Sequence, residues 1–168
     1  GQIADESPDL EDFEQLKVAM HVTQELVDKR MLLAGHDRSD GGLAVTLLEM
    51  AFAGNCAIEV CLPRNGCTNF QVLFNEEAGI VVEVGSENTE AVKKAFEKAR
   101  LTVIDIGRTS AGDSIKISIN GDEPCITGKM TYWRDVWEAT SFQLERRQRN
   151  PDCVGQEESG LKARQAPQ

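Results

Sequence analysis

The sequence predicts an α+β fold, a mixed α/β sandwich in which helices cover at least one face of a mixed sheet of about four strands. Two patterns carry this prediction. Apolar residues recur at helical spacing through residues 10–53, whereas residues 57–127 combine short strand-like runs with helical segments. The chain has 168 residues, of which 40% are hydrophobic, and this length and composition indicate one domain with one core.

Two helices are predicted before the first strand. Serine, proline and aspartate at residues 7–9 suit a helix N-terminus, and Gly35 marks the end of this first helix. Its expected apolar stripe consists of Phe13, Leu16, Met20, Val27 and Met31. The second helix, about Leu43 to Ala53, is apolar almost all round, so burial on most sides is expected. Only Thr46 and Glu49 form a narrow stripe that water can reach.

Strands dominate the second half of the chain. They are predicted at 57–62, 79–84, 102–106 and 115–119, with a short edge strand at 123–127. Ile115, Ile117 and Ile119 alternate with polar residues, which is typical of a half-buried strand. The pair Asn120-Gly121 is typical of a hairpin turn and closes that strand.

Three helices accompany these strands. The first is short, at 70–74, and the second is capped by Ser86 or Asn88. The third extends from about Thr131 to Arg149. Its expected apolar side consists of Trp133, Val136 or Trp137, and Leu144.

These patterns divide the chain into three segments. Residues 1–9 lack a core pattern and are expected to be a disordered or added lead, residues 10–151 form the domain, and residues 152–168 form a polar linker. The chain begins with Gly1 and not with Met, so we expect it to be an excerpt of a longer polypeptide.

The composition argues against several functions. A net charge of −10 disfavours binding to nucleic acid or to an anionic membrane, because such binding needs clustered lysines and arginines. No apolar run approaches the roughly 20 residues of a membrane span. The five cysteines form no CxxC pair, and Cys56 and Cys61 are expected to be buried, reduced thiols. A cytoplasmic protein is therefore predicted.

The segment HDRSDGG, residues 36–42, has the residue types of a nucleotide site. It precedes the buried helix, where backbone N–H groups and the helix dipole attract anions, and Gly41 and Gly42 would let a phosphate approach closely. The carboxylates in this segment would repel a bare phosphate, which favours Mg2+ between protein and phosphate. The Ser39 hydroxyl can hydrogen-bond a phosphate.

A simpler interpretation of the same segment stays open. Asp40 or Ser39 caps the helix in this interpretation, and Asp37 lies in a solvated loop. His36 either binds a phosphate, orients Asp37, or makes an ordinary backbone hydrogen bond.

Three runs in the sequence resemble a known family. They are HDRSDGGLAVTLLEMAFAGNCAIEV, LFNEEAGIVVEV and WEATSFQLERRQRNP, and the resemblance covers roughly Leu10 to Pro151. The family is that of the large phosphoribosylformylglycinamidine synthases of purine biosynthesis. The similar part is their second aminoimidazole-ribonucleotide-synthetase-type C-terminal domain, which lies just before a glutamine amidotransferase domain. DGGL is shared across the superfamily, whereas AFAGNC together with TSFQLER is narrower.

The resemblance implies that the chain is part of a carbon–nitrogen ligase with glutamine as amido donor. Such enzymes use ATP and glutamine to convert formylglycinamide ribonucleotide into formylglycinamidine ribonucleotide. In their HDxSDGG loop the aspartate is a magnesium ligand and the serine contacts a nucleotide. These roles therefore fall on Asp37 and Ser39, with Mg2+ and ATP or ADP as cofactors.

The resemblance assigns no catalytic residue to this chain. It implies that the domain completes a Mg-nucleotide site together with other domains of the full-length enzyme, and that the isolated chain is inactive. Residues 152–168 would then lead toward the glutamine amidotransferase domain.

Alternatives remain at this point. The nucleotide site is structural and serves assembly with neighbouring domains, or the chain comes from a sister enzyme such as selenophosphate synthetase or thiamine-monophosphate kinase. The roles of Glu76 and Glu77 also stay open, between acid/base chemistry, a solvated turn and the lining of a shared cleft.

Overall fold

The computed structural model describes residue 10 and residues 12–164, and it has the predicted α+β architecture. In chain order the elements are α1 (Phe13–Asp28), β1 (Ala34–Asp37), α2 (Gly42–Gly54), β2 (Ala57–Leu62), α3 (Asn69–Phe74), β3 (Ile80–Glu83), α4 (Thr89–Lys98), β4 (Gly107–Ser110), β5 (Ser114–Ile119), β6 (Ile126–Lys129), α5 (Met130–Gln148) and α6 (Pro151–Ala163). They fall into two compact units. The first extends to Thr46 and resumes over Leu73–Asp105, and the second comprises Leu47–Val72 and the chain from Ile106 onward.

The first unit has a two-stranded antiparallel sheet and a small apolar core. β1 pairs with β3 in a register that places Asp37 opposite Ile80. Leu26 of α1 is buried together with Val92 and Phe96 of α4. Partly buried side chains around them belong to Val22, Met31, Leu32, Val84, Ala95, Leu101 and Val103. β1 ends at Asp37, so the part of the HDRSDGG loop that follows Asp37 begins at a residue that is paired in the sheet.

Helix α1 begins and ends at different residues from those predicted. Its cap is Asp12, whose side chain accepts a hydrogen bond from the Gln15 N–H at 2.9 Å. The predicted start at residues 7–9 lies outside the described residues. The helix ends at Asp28 and not at Gly35. The chain then forms β1, which the sequence does not predict because AGHD has no apolar alternation.

The face that α1 buries also differs from the prediction. The predicted stripe is largely exposed, at Phe13, Leu16, Met20 and Val27. Leu26 and Val22 face the core instead, because α4 packs on that side of the helix. Periodicity identified the helix correctly, but α1 is apolar on two sides and periodicity does not choose between them.

The second unit contains the predicted four-stranded mixed sheet. Its strand order is β4-β2-β5-β6, with β2 parallel to β5 and the other pairs antiparallel. β2 occupies the predicted 57–62, and Ile115, Ile117 and Ile119 of β5 are buried as their alternation predicts. The sheet prediction is confirmed.

Two strands of this sheet lie at other residues than predicted. Residues 102–106 form no strand, although Leu101 and Val103 pack against the core of the first unit. The strand that follows is β4, whose four residues are all exposed and therefore show no alternation. β6 is the predicted edge strand, but it begins at Ile126 and not at Glu123.

Helix α5 matches the predicted 131–149 closely but buries other side chains. The predicted apolar residues Val136, Trp137 and Leu144 are exposed. Trp133 is half-buried, and its Nε1–H donates to the Thr127 carbonyl at 3.2 Å. The buried side chains of α5 belong to Met130 and Arg134.

Residues 152–163 of the predicted linker 152–168 belong to helix α6, which the sequence does not predict, and the role of this segment as a linker stays a prediction. Asn150 caps this helix by accepting the Asp152 N–H at 2.9 Å, and Val154 is buried. α6 packs against α5, and an ion pair between Arg146 and Glu158 joins the two helices. The limits of the domain, 10–151, stay a prediction.

The cysteine prediction is wrong in part. All five cysteines are free, as expected of reduced thiols, but Cys61 is exposed and Cys56 is half-buried. Cys61 points outward because Val60 and Leu62 on either side of it take the buried positions of β2. None of the described helices combines the length and apolar character that crossing a membrane requires.

Candidate functional site

The HDRSDGG loop connects the end of β1 to the start of α2, and two glycines make this turn. Gly41 and Gly42 have left-handed backbone angles, with φ of 83° and 67°, which glycine adopts at little cost. The Gly42 N–H donates to the Ser39 carbonyl at 2.9 Å. A Cβ at Gly42 would lie 2.7 Å from the Phe74 Cα, so the backbone itself excludes a side chain. Close packing against the backbone of Phe74 therefore requires glycine at position 42.

Arg38 joins this loop to residues 75–79, with the sequence NEEAG, which we call the NEEAG segment. Its backbone N–H donates to the Gly79 carbonyl at 2.8 Å. Its guanidinium donates from Nε to the Glu77 carbonyl and from Nη2 to the Ala78 carbonyl, the latter at 3.3 Å. Burial lowers the pKa of Arg38, and the negative charge of Glu77 opposes this effect. Arg38 therefore braces two segments that are distant in sequence.

Glu76 makes the reciprocal connection. The Gly41 N–H donates to the Glu76 Oε1 at 2.8 Å across 35 positions of sequence. Because Gly41 directly precedes α2, this carboxylate lies at the helix N-terminus, where the dipole favours negative charge. Glu77 instead donates its N–H to the Asn75 Oδ1 at 2.6 Å, within the NEEAG segment. The structure thus separates the two acids: the Glu76 carboxylate accepts a hydrogen bond from the loop backbone, whereas the charge of Glu77 acts on Arg38.

Asp37, the predicted magnesium ligand, ends β1 with an accessible carboxylate. Its side chain is 77% exposed, whereas its backbone carbonyl accepts from the Thr46 hydroxyl at 3.4 Å and contacts the His36 Nδ1 at 2.6 Å. A carbonyl oxygen only accepts, so Nδ1 of His36 carries the hydrogen in this contact. The backbone of Asp37 is held by its neighbours, and its carboxylate can meet a ligand.

Helix α2 is buried as predicted, except that the predicted wet position at Thr46 is wrong. Thr46 is 1% exposed, and its hydroxyl lies 3.1 Å from the Gly42 carbonyl as well as near that of Asp37. These backbone acceptors satisfy the hydroxyl away from water. The buried apolar residues of α2 are Ala44, Leu47, Ala51 and Phe52.

Ser39 and Asp40 differ in their exposure to solvent. Ser39 is half-buried and Asp40 is exposed. Among the described residues, the carboxylate bonded at the start of α2 is that of Glu76, and no cap bond from the side chain of Ser39 or Asp40 accompanies it. No side-chain hydrogen bond among the described residues therefore supports the interpretation that Ser39 or Asp40 caps α2.

The loop fits a partial magnesium site. The described residues hold no group of three or more His, Cys, Asp or Glu side chains arranged around a common metal position. Mg2+ usually takes one or two protein carboxylates and completes its shell with phosphate oxygens and water. The exposed carboxylate of Asp37 matches one such contribution, and its role as a ligand stays a prediction.

The sequence did not predict that the side chains of Arg38 and Glu76 join the HDRSDGG loop to the NEEAG segment. Arg38 and Glu76 each bond to backbone atoms of the other segment, and such partners leave no trace in residue type or spacing. The available signal was the joint presence of HDRSDGG and LFNEEAG among the runs that carry the family resemblance.

Comparison with known proteins gives two kinds of relative. Over 99% of its length the chain is 42% identical to a probable phosphoribosylformylglycinamidine synthase, chloroplastic/mitochondrial, of Arabidopsis thaliana. It is 43% identical, again over 99% of its length, to the phosphoribosylformylglycinamidine synthase of Homo sapiens. The chain spans only 12% and 13% of the lengths of these two relatives.

Solved structures share the fold. The structure of PurLQS from Thermotoga maritima has a TM-score of 0.63 and 16% identity, covering 73% of this chain and 22% of that one. T. maritima PurL complexed with ATP has a TM-score of 0.62 and 15% identity, covering 68% of this chain and 20% of that one. The predicted fold and family resemblance are confirmed. Residues 1–120 match the family described as AIR synthase related protein, C-terminal domain, and the chain belongs to that family.

Proposed function

We propose that this chain is one domain of a phosphoribosylformylglycinamidine synthase, the ATP- and glutamine-dependent ligase that converts formylglycinamide ribonucleotide into formylglycinamidine ribonucleotide. The support is the identity of 42% and 43% to two such synthases over 99% of the chain. Because the chain spans 12–13% of their length, the remaining domains supply the glutaminase and the other part of the nucleotide site. The isolated chain is accordingly expected to show no glutamine-dependent ATP hydrolysis.

Within that ligase, this domain contributes the HDRSDGG loop to a Mg-nucleotide site. One observation carries the assignment: Asp37 presents an exposed carboxylate from a backbone that Thr46 holds, beside the N-terminus of α2. Bound Mg2+ would offset the phosphate charge there. Ser39 contributes its hydroxyl to the nucleotide, and Gly41 and Gly42 shape the turn that presents both side chains.

Asp37→Asn in the complete ligase tests this proposal. The amide keeps an oxygen in place but removes the charge that a divalent ion requires. We expect MgADP binding at this site to weaken at least about tenfold, or about 1.4 kcal/mol, because a neutral amide is a poorer ligand for Mg2+ than a carboxylate. Ser39→Ala should weaken it less. Isothermal titration calorimetry measures both affinities.

The matched control is Asp40→Asn, which removes the same charge from an exposed position of the same loop. If both variants weaken binding equally, the effect comes from the loop's overall charge and Asp37 is not a ligand. Turnover and melting temperature then separate a chemical site from a structural one. Lost turnover with an unchanged melting temperature supports a chemical role, whereas retained turnover with a lower melting temperature and lost nucleotide supports a structural role.

A further inference from the structure

The HDRSDGG loop and the NEEAG segment hold each other by two reciprocal side-chain contacts. The guanidinium of Arg38, from the loop, donates to the carbonyls of Glu77 and Ala78. The carboxylate of Glu76, from the NEEAG segment, accepts the N–H of Gly41 at 2.8 Å. Each contact joins a charged side chain to a backbone group, so both segments are fixed at the backbone.

The contact at Gly41 lies at the pair of glycines that makes the turn of the loop. Gly41 and Gly42 are consecutive glycines, and two adjacent residues without side chains restrict their own backbone angles less than any other pair. Gly42 is confined by the packing of Phe74 against it. Gly41 is confined from outside the loop by the bond from its N–H to Glu76.

The order of residues connects this bond to the site. Ser39 lies two residues before Gly41, and the Gly42 N–H closes back onto the Ser39 carbonyl at 2.9 Å. A change in the orientation of the Gly41 peptide would therefore move Ser39 relative to Asp37, whose backbone pairs with Ile80 in the sheet.

We propose that Glu76 is a positioning residue for the Mg-nucleotide site: by accepting the Gly41 N–H it holds the loop in the conformation that places Ser39 relative to Asp37. This inference rests on the proposed function of the loop. It differs from a ligand or acid/base role, because the hydrogen bond needs only an oxygen acceptor. Glutamine at position 76 should therefore replace glutamate, whereas alanine should not.

The first test follows the loop itself in the 168-residue chain without nucleotide. We expect Glu76→Ala to shift the Gly41 and Ser39 amide resonances in NMR spectra and to speed hydrogen exchange at Gly41 about tenfold or more, since a lost hydrogen bond removes its protection. Glu76→Gln should leave both near the parent values. Unchanged Gly41 exchange in Glu76→Ala would overturn the proposal.

The second test follows nucleotide binding in the complete ligase. We expect Glu76→Ala to raise the Kd for MgADP about tenfold, which corresponds to about 1.4 kcal/mol. Glu76→Gln should stay within about twofold of the parent. Glu90→Ala is the matched control, because it removes an exposed carboxylate from the first turn of a different helix, α4. It should bind like the parent.

The outcomes separate this inference from the proposed function. If Asp37→Asn has no effect on binding, the nucleotide site is not here and both proposals fall. If Asp37→Asn weakens binding but Glu76→Ala does not, only the role of Glu76 is refuted. Equal weakening by Glu76→Gln and Glu76→Ala would show that the charge matters, as for a metal ligand, and would also overturn the positioning role.

Discussion

Replacing Gly42 with alanine tests whether the start of α2 is fixed by close packing. The added Cβ would lie 2.6 Å from the Phe74 carbonyl carbon, 2.7 Å from its Cα and 2.9 Å from the Asn75 carbonyl oxygen. These are backbone atoms, so they cannot rotate away. A left-handed non-glycine residue costs about 1–2 kcal/mol and overpacking about 1–3 kcal/mol, so the free energy of unfolding should fall by about 2–5 kcal/mol.

Gly121→Ala is the matched control for this variant. Gly121 also has a left-handed backbone, with φ of 79°, but nothing lies within 4 Å of an added Cβ. Only the left-handed cost of about 1–2 kcal/mol is therefore expected. Urea denaturation of the 168-residue chain, followed by circular dichroism, gives the free energy of unfolding of both variants. Equal losses would refute the inference that Phe74 and Asn75 press against Gly42.

Two further substitutions test the folded core and the start of α5. Leu47 of α2 is 4% exposed. Leu47→Asp should therefore abolish the cooperative melt, because burying an unpaired charge costs several kcal/mol. A melt at the parent temperature would contradict the burial of α2. Asp113 accepts the Thr131 N–H and hydroxyl, each at 2.8 Å, and Asp113→Ala should lower the free energy of unfolding by about 0.5–2 kcal/mol. Asp122→Ala, which breaks only an exposed ion pair with Arg64, should cost less than about 1 kcal/mol in the same urea assay. An equal loss for the two aspartates would contradict the cap at Asp113.

The sequence predicted the elements whose signal is local and strong. β2 carries buried residues at Ile58, Val60 and Leu62, and the alternation in β5 is complete. The nearly all-apolar α2 lacks a polar face, which leaves burial as its stable arrangement. In each of these elements the residue pattern itself indicates which side chains are buried.

The sequence did not predict features that a distant partner decides. α1 has apolar side chains on two sides, and the position of α4 selects the one with Leu26. α6 is polar and contains two glycines, so its pattern indicates a linker, yet Val154 and ion pairs to α5 hold it as a helix. β4 has no buried residue at all and is a strand because β2 pairs with it.

The candidate site shows the same division. Gly41, Gly42 and Asp37 were predicted as site residues from a local pattern of glycines and carboxylates before an apolar helix together with the family resemblance, and their roles stay predictions. Glu76 and Arg38 were not assigned, because their partners are backbone groups of a segment more than thirty positions away. A backbone N–H or carbonyl is present at almost every residue, so sequence alone cannot specify which one a side chain meets.

We expect nucleotide binding at the proposed site to depend on Mg2+, because of the charges around the loop. Asp37 and Asp40 are exposed carboxylates, and Glu76 places another at the start of α2. Arg38 directs its guanidinium to carbonyls of the NEEAG segment. Like charges about 4 Å apart repel each other by about 1 kcal/mol in bulk water and by about 4 kcal/mol at the lower effective dielectric constant near a protein surface. A polyphosphate without a metal ion therefore meets repulsion, whereas a magnesium complex brings a cation to Asp37.

Calorimetric titration of the complete ligase with ADP, in Mg2+ and then in EDTA, checks this dependence. The part of the heat of ADP binding that is lost in Asp37→Asn is assigned to this site. We expect the parent ligase to give that heat only when Mg2+ is present. In EDTA the parent and Asp37→Asn should differ little, or the variant should bind slightly better, because it carries one negative charge fewer. ADP binding that persists in EDTA and still depends on Asp37 would show that Asp37 contacts the nucleotide without a metal ion.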